Sequence, residues 1–572
     1  MEILSLPDGR VIMVSGKVLR GTPGKALPPP PSNTLSIALD DYKTGHTLAY
    51  PVAPRLPGTE NDPDGGYASP WFLFDYTGEL PLDLQARAID ASTKQAIPGS
   101  DWAQALSVTS IADGKGIARL ARARIGSNYL LDIRVGTSMT LRSTGTQAWG
   151  VGIAWGSFGQ SNKAGMLQAG SALDPVAGFG DHEVAYFVTK KSCFAGTNGF
   201  VATGGAGGNG STSTGSEASP SQGGSLSFIR MVSKALSTKY GREVPVVLVM
   251  FAVSNNALDT FLPGGANYKI FGNSGTTAGN IGFGSPYDYL LYDIEGCDLH
   301  IGESNQADSA AQFQTKLLQF YNGVLAAIGP RSGRTAQNFH FRPAVLGVYG
   351  NLPSVVSKRK AVRDLQVYAA ANNLPKIRAG YSCIDCDPRI GPRPDGRVVD
   401  GLHFDDIVGG IQHRRLAMKR FTHDTLHALG LAPYSAQGPR IASITRGAGL
   451  TAEVTFQHEG GTQIVARNPA QAVTGFKAVR PGDGVTPITV SYESTGPATG
   501  RLTFSELPAR VTYCADADAD VTNPLYDDAV YPFVPDSQGN NIFGAPAASF
   551  SEARDVYRGF PVNETQTAFE VT

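Results

Sequence analysis

Two textures alternate along the chain. Between residues 71 and 147, runs such as LDLQARAID and YLLDIRVGTSMTLRS alternate apolar with polar positions around a turn at 112–114, which predicts half-buried strands. At residue 149 the pattern changes. WGVGIAW is a continuous apolar run that ends in the turn-prone GSFGQSN at 156–162, the signature of a strand buried on both faces. Helical spacing follows at 225–241, 310–329, 358–373 and 407–430, interleaved with buried-strand patterns at 244–253 and 344–350. Beyond residue 433 short alternating runs return: LTAEVTFQ, TQIVAR, ITVSYES, GRLTFSE and ARVTYCA.

Strands that alternate with helices predict a parallel sheet with helices on both faces, so residues 148–432 read as one α/β domain. Residues 1–68, with a proline run at 28–31 and a polar segment at 58–66, read as a strand-rich leader with a linker. Residues 69–147 read as a small β-sandwich, and 433–572 as a C-terminal β domain with a loop-rich tail. The length of 572 residues agrees with several domains at about 150 residues each.

Charge narrows the partners. Lys plus Arg number 48 against 49 Asp plus Glu, which leaves no basic excess for a phosphate backbone, so no nucleic acid is expected. No apolar run reaches the roughly 18 residues of a membrane-spanning helix, so no membrane insertion is expected. The N-terminus has an acid at position 2 and Pro7, Asp8 and Gly9 early on. It reads as two strands around a turn and not as a signal peptide. Five cysteines in a chain this long make no disulfide framework. Cytoplasmic synthesis in a reducing compartment is the expectation.

Three short segments could carry chemistry. Gly159-Gln160-Ser161-Asn162 follows a buried strand and precedes a helix, which places the Ser161 hydroxyl where helix N–H groups can stabilise an oxyanion. The G-x-S-x-G elbow is absent, because Lys163 stands at its second glycine. Asp400-Gly401-Leu402-His403 lies ahead of the last helix; His403 suits a base that activates a hydroxyl, and Asp400 can orient its imidazole. The same pair also suits a helix cap beside a surface histidine. Gly302-Glu303-Ser304-Asn305 precedes the long helix near 310. It can supply donors to an oxyanion pocket, position the base, or cap the helix.

In the order GQSN, GESN, DGLH these segments resemble the SGNH hydrolase superfamily, and within it the sialate O-acetylesterase-like carbohydrate esterases. That family's patterns are G-Q-S-N-M, Q-G-E-S-[ND] and D-x-x-H. The C-terminal RVTYCADADADVTNPLYDDAVYPFVP is similar to its terminal R-Y-…-N-P-…-L-Y-…-P-F pattern, and the resemblance spans about 70–530. It implies an SGNH-type, flavodoxin-like sheet flanked by N-terminal and C-terminal β-sandwich-type domains. It implies Ser161 as nucleophile, His403 as general base and acid, and Asp400 as its partner, in an esterase that removes O-acetyl groups from a glycan or surface polysaccharide. Oxyanion or substrate contacts would fall to the Ser161 amide, Gln160, Asn255 or Asn256, and the segment of Gly302, Glu303 and Asn305. His300, beside that segment, is a further candidate for substrate contact. Asn255-Asn256-Ala257 stands where the family has Gly-Gly-Ser or Gly-Gly-Thr, Ile301 replaces a Gln, and Lys163 replaces a Met in what would be a pocket wall.

Other signals are weaker. The glycine-rich 205–210 has no helix after it, Cys383-x-x-Cys386 lacks a second ligand pair, and the acidic run from Asp516 lacks the turn glycine of a calcium loop. No metal and no cofactor are expected. The β modules on both sides of the α/β domain and the proline hinge also suit a polysaccharide-binding spike or fibre of a phage-like particle. Its esterase site would be slow or inactive. The partners would then be capsular polysaccharide and other structural proteins of the particle.

Overall fold

The computed structural model describes residues 52–146, 148–168, 224–252, 255–265, 294–347, 352–386, 413–515 and 519–528. Shorter described segments lie at 2–5, 11–14, 37–40, 185–189, 199–202 and 569–570, with single positions 268 and 562. The proline run 28–31, Cys193, the glycine-rich 205–210, residues 516–518, the tail 529–561, Asp400 and His403 lie outside them.

The described residues form two compact units. The first unit comprises residues 1–152 with 284–293 and 325–335. Its N-terminal strands Glu2–Ser5 and Val11–Val14 pair antiparallel, as the two-strand reading expects. An antiparallel sheet joins Ile37–Asp40, Trp71–Tyr76, Lys115–Arg119 and Leu106–Ala112 in that order. Leu84–Asp90 pairs antiparallel with Gly126–Val135. There the alternation is literal: Leu84, Ala86 and Ala88 are buried, while Gln85 and Arg87 stay partly exposed. The guanidinium of Arg87 lies 4.3 Å and that of Arg134 4.2 Å from the ring centre of Trp102.

The second unit holds the α/β domain and the C-terminal strands. Its central strand is β1 (Trp149–Gly159), which belongs to this unit from Ile153 onward and is buried at every position. Then come α1 (Ser161–Gln168), β2 (Ala185–Thr189), β3 (Gly199–Ala202), α2 (Gly224–Tyr240) and β4 (Val246–Ala252). They are followed by β5 (Gly296–His300), α3 (Ala310–Ser332, which belongs to this unit up to Val324), β6 (His340–Pro343), α4 (Val355–Ala371) and α5 (His413–Ala428). The sheet order is β3-β2-β4-β1-β5-β6. All neighbours are parallel except the β2–β3 pair. From β1 the chain first builds the β2–β4 side and then crosses to β5 and β6 on the other side. The carboxyl end of β1 is therefore a topological switch point, where open α/β sheets bind ligands.

The two faces of this sheet differ in chemistry. On one, Phe158 and Phe341 meet Phe320 of α3 with ring centres 5.9 and 5.8 Å apart. Burial of such side chains contributes about 1.5–3 kcal/mol each. On the other, Ser157, Asp298, His300 and Arg342 are buried and polar, and α1 and α5 answer them with charges. Lys163 pairs with Asp298 at 2.6 Å, and Arg342 with Asp424 at 3.2 Å. The domain is α/β with a mainly parallel sheet covered on both faces.

One strand falls elsewhere than its pattern predicts. The apolar run 344–350 is the expected strand; its residues 348–350 lie outside the described ones, and the ladder with β5 is formed by His340–Pro343 just before it, with the Ala344 N–H still donating to the Leu299 carbonyl at 2.9 Å. The charge of Arg342 hides that strand in the sequence; Asp424 neutralises it in the fold. Val345 instead exchanges backbone hydrogen bonds with the 381–383 segment: its N–H donates to Tyr381 and its carbonyl accepts from Cys383.

C-terminal to α5, Arg440–Arg446, Thr451–Gln457, Thr499–Phe504 and Val490–Gly496 form an antiparallel sheet. A second sheet contains Pro487–Ile488, Phe476–Val479, Arg510–Tyr513 and Phe569–Glu570. Val454, Phe456, Leu502 and Phe504 of the first share one core with Val511 and Tyr513 of the second. Asp385 bonds this region to the α/β domain. Its carboxylate accepts from Arg420 of α5 at 2.5 and 2.9 Å, from Arg467 at 3.2 Å and from the Tyr526 hydroxyl at 2.7 Å.

Candidate functional site

Ser161 is the first residue of α1 and follows β1 after one intervening residue. At the strand end Gly159 and Gln160 still lie against β5: the Gln160 N–H donates to the His300 carbonyl at 3.3 Å. An added Cβ on Gly159 would lie 2.3 Å from that carbonyl oxygen, so only glycine allows the approach. Ser161 is partly exposed, whereas Gln160, Asn162 and Lys163 on either side of it are buried. The first N–H groups of a helix have no partner within it, so the Ser161 amide stands at the positive end of α1.

Glu303 organises this turn. Its Oε2 accepts from Gln160 Nε2 at 2.6 Å and its Oε1 from Asn162 Nδ2 at 2.9 Å. His300 Nε2 lies 3.5 Å from the same Oε1. Burial pushes the Glu303 carboxyl up, but the facing His300 imidazole and the Asn162 amide outweigh it and hold the group below the usual carboxylate range. A carboxylate with both oxygens receiving hydrogen bonds accepts and does not donate. His300 itself is fully buried, and its Nδ1 lies 3.1 Å from the Tyr381 hydroxyl. It stands behind the turn.

Lys163 also departs from its expected place. It is fully buried, with Nζ 2.6 Å from Asp298 and 3.6 Å from the ring centre of Phe421. It therefore points into the interior and forms no pocket wall. Burial lowers the lysine and raises the aspartate, each opposed by the charge of the other.

Asn305 works on the neighbouring loop. Its Oδ1 accepts from the Leu258 N–H at 2.9 Å, and its Nδ2 donates to Asp259 at 3.0 Å and Asp308 at 2.7 Å. That fixes the segment after Asn255 and Asn256. Asn255 is exposed with φ of 59°, and Asn256 is partly exposed. Gly302 sits at φ of 141°, where a Cβ would meet Leu346 at 2.9 Å. Hence the GESN segment is a brace: Glu303 holds the Ser161 turn and Asn305 holds the 255–262 loop.

The structure thus brings Gln160, Ser161, Glu303 and His300 together at the end of β1, while Asp400 and His403 lie outside the described residues. The Gln160 and Asn162 clamps by Glu303, and the role of Tyr381, were not legible in the motifs. Among the described residues no group of three or more His, Cys, Asp or Glu side chains could hold a metal ion. Cys383 and Cys386 are buried free thiols. No described helix is long and apolar enough to cross a membrane.

No protein-family model and no curated protein matches the chain. Among solved structures it is similar to XAC1771, a carbohydrate acetylesterase from Xanthomonas citri. That match has a TM-score of 0.48 at 15% identity, over 84% of this chain and 96% of that one. It is also similar to a protein from Arabidopsis thaliana (TM-score 0.28, 12% identity, 43% of this chain and 90% of that one). A third is the tail fibre protein gp63.1 from a phage of E. coli (TM-score 0.25, 10% identity, 67% and 46%). Overlaps and identities this low assign neither fold nor activity to this chain.

Proposed function

We propose that the chain is a metal-independent serine esterase of SGNH type that removes O-acetyl groups from a carbohydrate. The observation that carries this reading is the place of Ser161. A partly exposed hydroxyl begins a helix at the carboxyl end of the central parallel strand, at the switch point of the sheet, with buried side chains braced on both sides of it. A serine there can attack an acetyl carbonyl while the helix N–H groups receive the oxyanion.

In the proposed cycle His403 takes the Ser161 proton as the hydroxyl oxygen bonds to the acetyl carbon, with Asp400 orienting the imidazole. Collapse of the tetrahedral intermediate breaks the bond to the sugar oxygen, which takes the proton from His403. Water, deprotonated by the same imidazole, then releases acetate and restores the serine. The test is Ser161→Ala, which is expected to abolish acetate release from p-nitrophenyl acetate and acetylated glycans at unchanged thermal stability. Retained turnover in that variant refutes the assignment.

A further inference from the structure

We infer that Glu303 is the positioning residue of the nucleophile, acting through the amides that flank Ser161; this rests on the esterase reading above. Three observations meet at this carboxylate. Its two oxygens take one donor from each side of the serine, Gln160 Nε2 at 2.6 Å and Asn162 Nδ2 at 2.9 Å. It is 2% exposed, so water does not compete for those bonds. It is carried by the segment directly after β5, while the turn it holds directly follows β1, and the two strands are hydrogen-bonded neighbours. The carboxylate therefore ties the turn to the rigid sheet at the height of the serine.

The orientation of Gln160 follows from this. Its Nε2 must face the carboxylate, since the alternative would set an amide oxygen against a carboxylate oxygen. Its Oε1 is buried with no hydrogen-bond partner among the described residues. Glu303 thus determines which way the side chain next to the nucleophile is turned, and it does so without reaching a substrate. A displacement of about 1 Å at a reacting group can cost on the order of 100-fold in rate, so the clamp acts on kcat and leaves ground-state binding alone.

The test uses the full chain. Glu303→Ala removes both acceptors and is expected to lower kcat about 100-fold with KM within about threefold. Inactivation of Ser161 by a fluorophosphonate should slow by the same factor. Glu303→Gln paired with Gln160→Glu exchanges donor and acceptor across the 2.6 Å contact and keeps an oxygen facing Asn162. This double variant is expected to recover at least about 10-fold of the loss, which a purely structural role of the carboxylate would not give. Should Glu303→Ala not fold, Asn162→Ala removes one of the two bonds and should lower kcat about 10-fold with KM unchanged. An active wild type whose folded Glu303→Ala or Asn162→Ala variant keeps its kcat overturns the clamp but leaves the esterase standing. If instead wild type and Ser161→Ala are equally inactive, the esterase reading fails. The clamp is then judged by amide hydrogen exchange at residues 160–162. It should rise at least about 10-fold in the folded variant while β4 is unchanged, and equal exchange overturns it.

Discussion

The Nζ of Lys163 lies 2.6 Å from Oδ2 of Asp298, and neither side chain reaches solvent. An ion pair lies inside the α/β domain, two residues beyond Ser161. Such pairs are weak evidence of stability, because desolvation offsets much of the attraction, yet removing one partner strands the other charge. Lys163→Met, which removes the cation, is therefore expected to destabilise the fold by about 3–5 kcal/mol. The double variant Lys163→Met with Asp298→Asn should be more stable than Lys163→Met alone. Urea unfolding of the three proteins measures this, and equal midpoints for the single and double variants would contradict it.

That pair also explains what the sequence hid. β1 was legible because every residue in it is buried and none is charged. β5, with Asp298 and His300, does not read as a buried strand; the Lys163 that pairs with Asp298 and the Tyr381 that faces His300 lie far away in the chain. The same holds for Arg342 in β6 and Asp424 in α5. In the site, the place of Ser161 followed from a strand, a turn and a helix, which are local patterns. The role of Glu303 did not, because its two donors are 143 and 141 positions away. Local patterning reveals where a backbone turns. It does not reveal which buried charges meet.

Asp385 makes a second prediction. Burial pushes its carboxyl up, but Arg420, Arg467 and the Tyr526 hydroxyl outweigh burial and hold it well below the usual carboxylate range. All four side chains are buried, with Asp385 and Arg420 at 0% exposure. Tyr526→Phe removes one hydrogen bond to a charged group and should cost about 1.5–3 kcal/mol. Arg420→Met should cost about 3–5 kcal/mol, because Arg467 alone remains to balance the charge. Denaturation monitored by far-ultraviolet circular dichroism tests the ranking; a Tyr526→Phe loss larger than the Arg420→Met loss would show that the hydroxyl, not the charge pair, dominates.

Burial lowers His423 to about 3, although its Nε2 lies 2.9 Å from the Tyr434 carbonyl. His427, beside Arg342, is lowered to about 4. Each is neutral in the folded protein, while the unfolded chain takes up a proton below about 6.5. As the pH falls from about 6.5 toward 3, the unfolded state therefore binds more protons at His423, and stability is lost at up to about 1.4 kcal/mol per pH unit. His423→Gln retains a donor for the Tyr434 carbonyl and cannot titrate. Its unfolding free energy relative to wild type should improve steadily from about pH 6 to about pH 4 and stay constant above about pH 7. A difference independent of pH would mean that His423 charges inside the fold.

Asn255 separates backbone from side chain in the loop braced by Asn305. Its φ of 59° is a conformation that asparagine and glycine tolerate and alanine does not. Its side chain is exposed. Asn255→Ala is expected to cost about 1 kcal/mol and Asn255→Gly almost nothing. If the loop serves the oxyanion through its backbone, Asn255→Gly keeps kcat within about twofold, whereas loss of a side-chain donor would cost about 100-fold or more.

The end of β1 offers the sharpest contrast between stability and catalysis. A Cβ on Gly159 would lie 2.3 Å from the His300 carbonyl oxygen and 2.6 Å from Lys163 Cβ. Both contacts are with rigid atoms, and the same carbonyl receives the Gln160 N–H. Gly159→Ala must therefore part β1 from β5 where the Ser161 turn begins. Three residues earlier, a Cβ on Gly156 would meet the Phe158 ring at 2.5 Å and Cys297 Cβ at 2.9 Å. That clash is equally a core overpacking, with a typical cost of about 1–3 kcal/mol, but it lies away from the turn. Both variants should lower the melting temperature. Gly159→Ala should in addition lower kcat about 100-fold, since it displaces Ser161, the proposed nucleophile, from the helix N–H groups proposed to receive the oxyanion. Gly156→Ala, measured well below its melting temperature, should keep kcat within about threefold. Equal kcat losses in the two would place the origin of the effect in general loosening of the sheet and remove the strand end from the account of the site.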